Sequence, residues 1–125
     1  MSAETMPVEI WHNPRCSQSR NALALIRDVG IEPRIVDYAT ASLSKARIAE
    51  VVAAAGLGMR EAIRDKDALF VELGLAEPGV SDEALLDAMA AHPMLINRPF
   101  VISPLGTRLC RPPEWVLELL PSPAF

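Results

Sequence analysis

A short β-prone run, Pro7 to Trp11, breaks at Asn13-Pro14, and a helical pattern starts just past Cys16, so the first cysteine falls in a strand-to-helix turn. That junction constrains the chain more than any other stretch. The first N–H groups of a helix lack internal partners and carry the positive end of the helix dipole, so they favour an anion beside them. Arg15 and Arg20 add positive charge nearby, with His12 as a candidate third, and such surroundings lower a thiol below its free value of about 8.5. The flanks of Cys16 are polar and charged, which favours a nucleophile over a small buried hydrophobe. Ser19 stands where a Cys-x-x-Cys pair would place its second thiol, so an oxidised or adducted Cys16 must be cleared by a thiol from another molecule.

The rest of the chain extends this unit. Ala22, Leu25, Ile26 and Val29 form one apolar stripe that ends at Gly30, and Pro33 to Tyr38 reads as a second strand, completing a βαβ unit with parallel strands and a right-handed crossover. From residue 39 to about residue 93 the pattern is helical. Ser44 is a predicted N-cap for a helix through Ile48, Val51 and Val52 that Gly56 ends; a short helix covers Met59 to Arg64; Leu69 to Leu75 reads as an apolar turn; Ser81 caps a helix running to His92. Strands return at Phe100 to Ser103 and Thr107 to Cys110, flanking Pro104-Leu105-Gly106, and Pro112-Pro113-Glu114 opens a last amphipathic helix with Trp115, Val116, Leu119 and Leu120. The order β-α-β, helical insertion, β-β-α suits an α/β fold with a mixed four-stranded sheet flanked by helices, in one domain of 125 residues.

Composition excludes several functions. A net charge of −4 argues against general affinity for nucleic acid, and no apolar run reaches the roughly 18 residues of a membrane span. Met1 to Pro7 lacks the basic-then-apolar order of a secretion signal, so a cytoplasmic location is expected, with both cysteines as free thiols. Two histidines and two cysteines at these spacings make no recognised metal set. Cys110 is expected to be a half-buried strand residue rather than a resolving thiol.

His12-Asn13-Pro14-x-Cys16-x-x-Ser19-Arg20-Asn21 resembles the active-site loop of the glutaredoxin-dependent arsenate reductases, the ArsC-like branch of the thioredoxin superfamily. Leu95-Ile96-Asn97-Arg98-Pro99 and Pro104-Leu105-Gly106-Thr107-Arg108-Leu109-Cys110-Arg111-Pro112 resemble the family's second signature, and Ala62-Ile63-Arg64 with Glu72-Leu73-Gly74-Leu75 fit the segment between. Ser17-Gln18 depart from the pattern, in which smaller residues are common. The resemblance implies a thioredoxin-like fold, Cys16 as the nucleophile and Arg64, Arg98 and Arg111 as a clamp on the oxyanion. It makes His12 and Ser19 neighbours that tune the thiolate, Arg20 a loop stabiliser and Pro99 a cis-proline. It also implies arsenate or a similar oxyanion as substrate, glutathione as co-substrate, glutaredoxin as partner and no tightly bound cofactor. Guanidinium forks suit an anion whose charge is spread over several oxygens, and they offset its repulsion of an attacking thiolate.

Other functions are less well matched. A cysteine phosphatase loop separates its cysteine and arginine by five residues, whereas three separate Cys16 from Arg20. Redox-sensing regulators of the same fold that bind RNA polymerase typically carry Cys-x-x-Cys. A paralogue acting on another oxyanion or on a glutathione adduct would use the same residues.

Overall fold

The computed structural model describes residues 7–38, 40 and 43–121. Residues 1–6, on which the reading against a leader rests, and residue 39, where the insertion is expected to begin, lie outside the described residues, as do 41–42 and 122–125. The chain forms two compact units, one of Met1–Asp37 with Arg98–Phe125 and one of Tyr38–Asn97.

The first unit carries the sheet. Its strands are β1 (Glu9–His12), β2 (Arg34–Asp37), β3 (Phe100–Ser103) and β4 (Gly106–Leu109), in the order β2-β1-β3-β4. β1 pairs parallel with β2, in the register Ile10↔Ile35, because helix α1 (Ser17–Asp28) carries the chain back across the sheet between them. The pairings β1–β3, with Ile10↔Val101, and β3–β4, with Ser103↔Gly106, are antiparallel, the latter closed by the tight Pro104-Leu105 turn. Gly106 takes φ +148°, a backbone conformation that favours glycine.

Alternation along the strands sorts the side chains. On one face Ile10 and Val101 join Ala22, Leu23 and Ile26 of α1 and Val116 and Leu119 in a buried cluster that also encloses Cys110. Leu23 is buried there, whereas Leu25 and Val29 of the expected stripe pack only at its margin. Trp11 and Phe100, both fully buried, meet edge to face with centroids 5.8 Å apart, and Trp11 Nε1 donates to Glu9 Oε2 at 2.8 Å. The last helix differs from expectation: Pro113–Leu119 is a 3-10 helix. Its tighter winding buries Val116 and Leu119 and turns Trp115 outward, 41% exposed, under the Arg108 guanidinium 4.4 Å from the ring centre.

The second unit is helical: α2 (Lys45–Ala54), α3 (Met59–Ala62), α4 (Ala68–Glu72), α5 (Asp82–Ala91) and a 3-10 turn at Pro93–Leu95. Ser44 and Ser81 cap α2 and α5, their hydroxyls accepting from the N–H groups of Arg47 and Ala84, each at 3.1 Å. The segment read as an apolar turn contains a helix, α4, because Asp67 accepts from the Leu69 N–H at 2.9 Å and so caps its start. Ile48, Val51 and Val52 of α2, with Leu85 and Met89 of α5, are buried, and Lys45 pairs with Glu83 and Asp87 across these two helices. Among the described residues no helix is long and apolar enough to cross a membrane.

Candidate active site

Cys16 is the N-cap of α1, with extended backbone angles, and the loop before it is pinned by its own polar groups. The Cys16 N–H donates to Asn13 O at 3.0 Å, the Arg15 N–H to Asn13 Oδ1 at 2.9 Å, and Arg20 Nη1 to Pro14 O at 2.9 Å. Ser19, fully buried one turn into the helix, accepts the Asn13 N–H on its hydroxyl at 3.1 Å and shares a 2.5 Å hydrogen bond with His12 Nδ1. Strand end, loop and first helical turn are therefore one hydrogen-bonded piece. Asn13, only 6% exposed, is a positioning residue that the reading of single site residues missed, although an asparagine before a proline at a strand end is the signal that could have found it.

Two arginines of the same unit reach the sulfur. Arg98, at the mouth of β3 and 8% exposed, bonds to Cys16 through its guanidinium. Arg111, just past β4, places Nη1 at 3.8 Å from Cys16 Sγ and donates the same nitrogen to Arg98 O at 2.8 Å, so the main chain of one arginine holds the side chain of the other. The Arg98–Pro99 and Arg111–Pro112 peptide bonds are both cis. Partial burial pushes the Cys16 thiol up, but the N–H of Ser19, the Arg98 guanidinium and the N–H of Gln18 outweigh it, and the net shift is down from the ordinary thiol value. His12 is shifted down by burial, with Arg27 and Arg20 adding to the effect and Asp37 opposing it, so the imidazole is neutral at pH 7. A neutral His12 ties the loop together and contributes no formal charge to the sulfur.

The structure thus brings Cys16, Arg98 and Arg111 together, with His12, Ser19 and Arg20 bonded into the same loop. Arg64 belongs to the second unit, where it follows α3 and its N–H donates to Leu95 O at 2.8 Å. A groove of about 510 Å³ beside α1, lined by His12, Pro14, Arg20, Leu23, Ala24, Arg27 and Asp28, contains none of Cys16, Arg98 or Arg111. Cys110 is not half-buried but sealed, at 0% exposure, and burial pushes its thiol up to about 12. Among the described residues no cluster of His, Cys, Asp and Glu could hold a metal ion.

A mixed sheet in this order, with a cysteine at the first strand-to-helix turn, defines a protein of the thioredoxin-like fold. The family model described as the ArsC family matches residues 11–119. The arsenate reductase of Rhizobium meliloti is 60% identical over 116 residues, covering 93% of this chain and 83% of that protein. The arsenate reductase of Escherichia coli K12 is 46% identical over 114 residues, covering 91% and 81%. A solved structure, an arsenate reductase from Vibrio cholerae, superposes with a TM-score of 0.88 at 44% identity, over 92% of this chain and 98% of that one. The chain belongs to the ArsC family.

Proposed function

We propose that this chain is an arsenate reductase that converts arsenate to arsenite through an adduct on Cys16. The observation that carries the reading is the acidified Cys16 sulfur with two arginines on it, in a chain most of whose length matches proteins named arsenate reductase. The Cys16 thiolate attacks arsenic and an oxygen leaves as hydroxide or water, forming a sulfur–arsenic bond with arsenic still pentavalent. Glutathione displaces a second oxygen. Glutaredoxin then takes the glutathione sulfur as a mixed disulfide and the bonding pair stays on arsenic, leaving trivalent arsenic with two oxygens on the Cys16 sulfur; water adds to the arsenic as the sulfur–arsenic bond breaks, releasing arsenite and regenerating the Cys16 thiolate.

Arg98 and Arg111 hold the oxyanion and spread its charge. This reading treats the chain as one thioredoxin-like domain in which the helical unit is an insertion. It needs no tightly bound cofactor, because the electrons arrive as thiols, and it places the protein in the cytoplasm, where both donors are kept reduced. The phosphatase and polymerase-regulator readings are not favoured, since the matched relatives carry the arsenate reductase name over more than four fifths of their length. The test is arsenite formation with glutathione and glutaredoxin: the native chain turns over and Cys16→Ser does not. Turnover retained by Cys16→Ser ends the reading.

A further inference from the structure

The hydrogen bonds at Ser19 fix which nitrogen of His12 carries the ring hydrogen. Ser19 is fully buried and its hydroxyl accepts the Asn13 N–H at 3.1 Å, so the hydroxyl's own hydrogen needs an acceptor, and His12 Nδ1 lies 2.5 Å away. A ring hydrogen on Nδ1 would aim a second donor at the same oxygen and strand the hydroxyl hydrogen. Nδ1 is therefore bare, and the neutral imidazole carries its hydrogen on Nε2.

That form of the ring stands among positive charges. His12 lines the groove beside α1 together with Arg20 and Arg27, and both guanidiniums act against positive charge on the ring. Asp28 lines the same groove, one residue past Arg27, but the carboxylate that acts on His12 comes from the neighbouring strand. Asp37 of β2 is the register partner of His12, so the two side chains leave the sheet on the same face, from backbones about 4.8 Å apart. Its effect on His12 exceeds that of either arginine.

We propose that Asp37 is a positioning residue for the Cys16 loop and acts through His12: its carboxylate offsets the two arginines and holds the ring hydrogen on Nε2, which keeps Nδ1 open to the Ser19 hydroxyl. The chain Asp37–His12–Ser19–Asn13 then ties both parallel strands to the first turn of α1, where the Ser19 main-chain N–H serves the sulfur. The role rests on the reading of Cys16 as the nucleophile, but its signature lies on His12 and does not depend on which anion the sulfur attacks.

The test is heteronuclear NMR of the imidazoles in the full chain, which shows where each ring hydrogen sits and at what pH each ring titrates. The chain has two histidines, so His92 is the internal control. In the native chain at neutral pH, His12 carries hydrogen on Nε2 and none on Nδ1. In Asp37→Asn the His12 midpoint falls by about half a unit or more, because a charge that favours the imidazolium is gone, and hydrogen appears on Nδ1. Exchange of the Asn13 N–H, measured alongside, speeds up about threefold or more. Asp37→Glu restores all three, and His92 does not move. A native His12 with its hydrogen on Nδ1 overturns the proposal without any variant. So does an Asp37→Asn chain with an unchanged His12, or an Asp37→Glu chain altered as much as Asp37→Asn. A native chain that shows the His12 signature yet forms no arsenite overturns the arsenate reading and leaves Asp37 in its place.

Discussion

Cys16 and Cys110 are the same side chain in the same compact unit, yet one sulfur is tuned to ionise and the other to stay protonated. Cys110 lies just past the last strand, inside the hydrocarbon cluster of α1 and the 3-10 helix, where desolvation outweighs the nearby charge of Arg108 and holds the thiol near 12. Cys16 also loses hydration, but it does so at a helix start, where N–H groups and a guanidinium replace the lost water. Burial alone therefore does not decide a thiol's chemistry. What decides it is whether the groups that displace water can solvate the anion.

The largest test of this contrast is selective labelling. A thiol held near 12 is ionised in about one molecule in 10⁵ at pH 7, and a sealed one is also out of a reagent's reach. Iodoacetamide should label Cys16 at least about 10⁴-fold faster than Cys110 in the folded chain, and both equally in denaturant. Comparable rates in the folded chain would mean that Cys110 is not enclosed. Arg98→Gln should come next, because it removes the charged group that bonds to the sulfur. The pH midpoint of Cys16 labelling should rise by about one unit or more, and arsenite formation should fall about 10- to 100-fold. An unmoved midpoint would assign the acidity to the main chain alone.

How much of this contrast was legible in the sequence follows from how local each cause is. Cys16 could be read because its environment is made by neighbours in sequence: a strand that stops at Asn13-Pro14 and a helix that starts after it. The order of elements was readable too, since the 3.6- and 2-residue periods are local, and Ser44 and Ser81 marked two helix starts. Arg98 and Arg111 could be chosen among many arginines only through the family resemblance, because their approach to the sulfur depends on strand pairing across 82 and 95 positions of sequence, Cys16 to Arg98 and Cys16 to Arg111. The depth of Cys110 was missed for a similar reason. A strand pattern tells which face a residue takes, not how completely a later 3-10 helix covers that face. Asp67, capping α4, was a local signal that the apolar run Leu69 to Leu75 obscured.

The alkaline limb of stability separates the two sulfurs next. For Cys110 the folded thiol is less acidic than the unfolded one, so stability is complete below the unfolded value and erodes as pH rises past it. With an unfolded thiol near 8.5, the loss at pH 10 is about 2 kcal/mol. Cys110→Ala should lack that part of the slope in denaturant melts at pH 8 and pH 10, though it starts from a lower stability because a packed sulfur is gone. For Cys16 the sign reverses: its folded thiol is the more acidic, so its contribution is present above the unfolded value and fades as pH falls through the folded one. Identical alkaline slopes for the native chain and Cys110→Ala would show that the buried sulfur ionises in place.

The smallest expected effect separates two ways in which one residue can serve Cys16. Ser19 offers the sulfur its main-chain N–H, while its hydroxyl is used elsewhere, on the Asn13 N–H and His12 Nδ1. Ser19→Ala keeps the first and deletes the second. The loss should appear as about 1 kcal/mol of stability, from one buried N–H and one imidazole nitrogen left without their partner, with the Cys16 labelling midpoint nearly unmoved. That outcome would make the hydroxyl a brace for the loop and the backbone the solvent of the thiolate. A midpoint raised as far as in Arg98→Gln would instead show that the sulfur's acidity depends on how tightly His12, Asn13 and Ser19 hold the helix start in place, so that the loop's hydrogen bonds and the arginines act as one electrostatic unit.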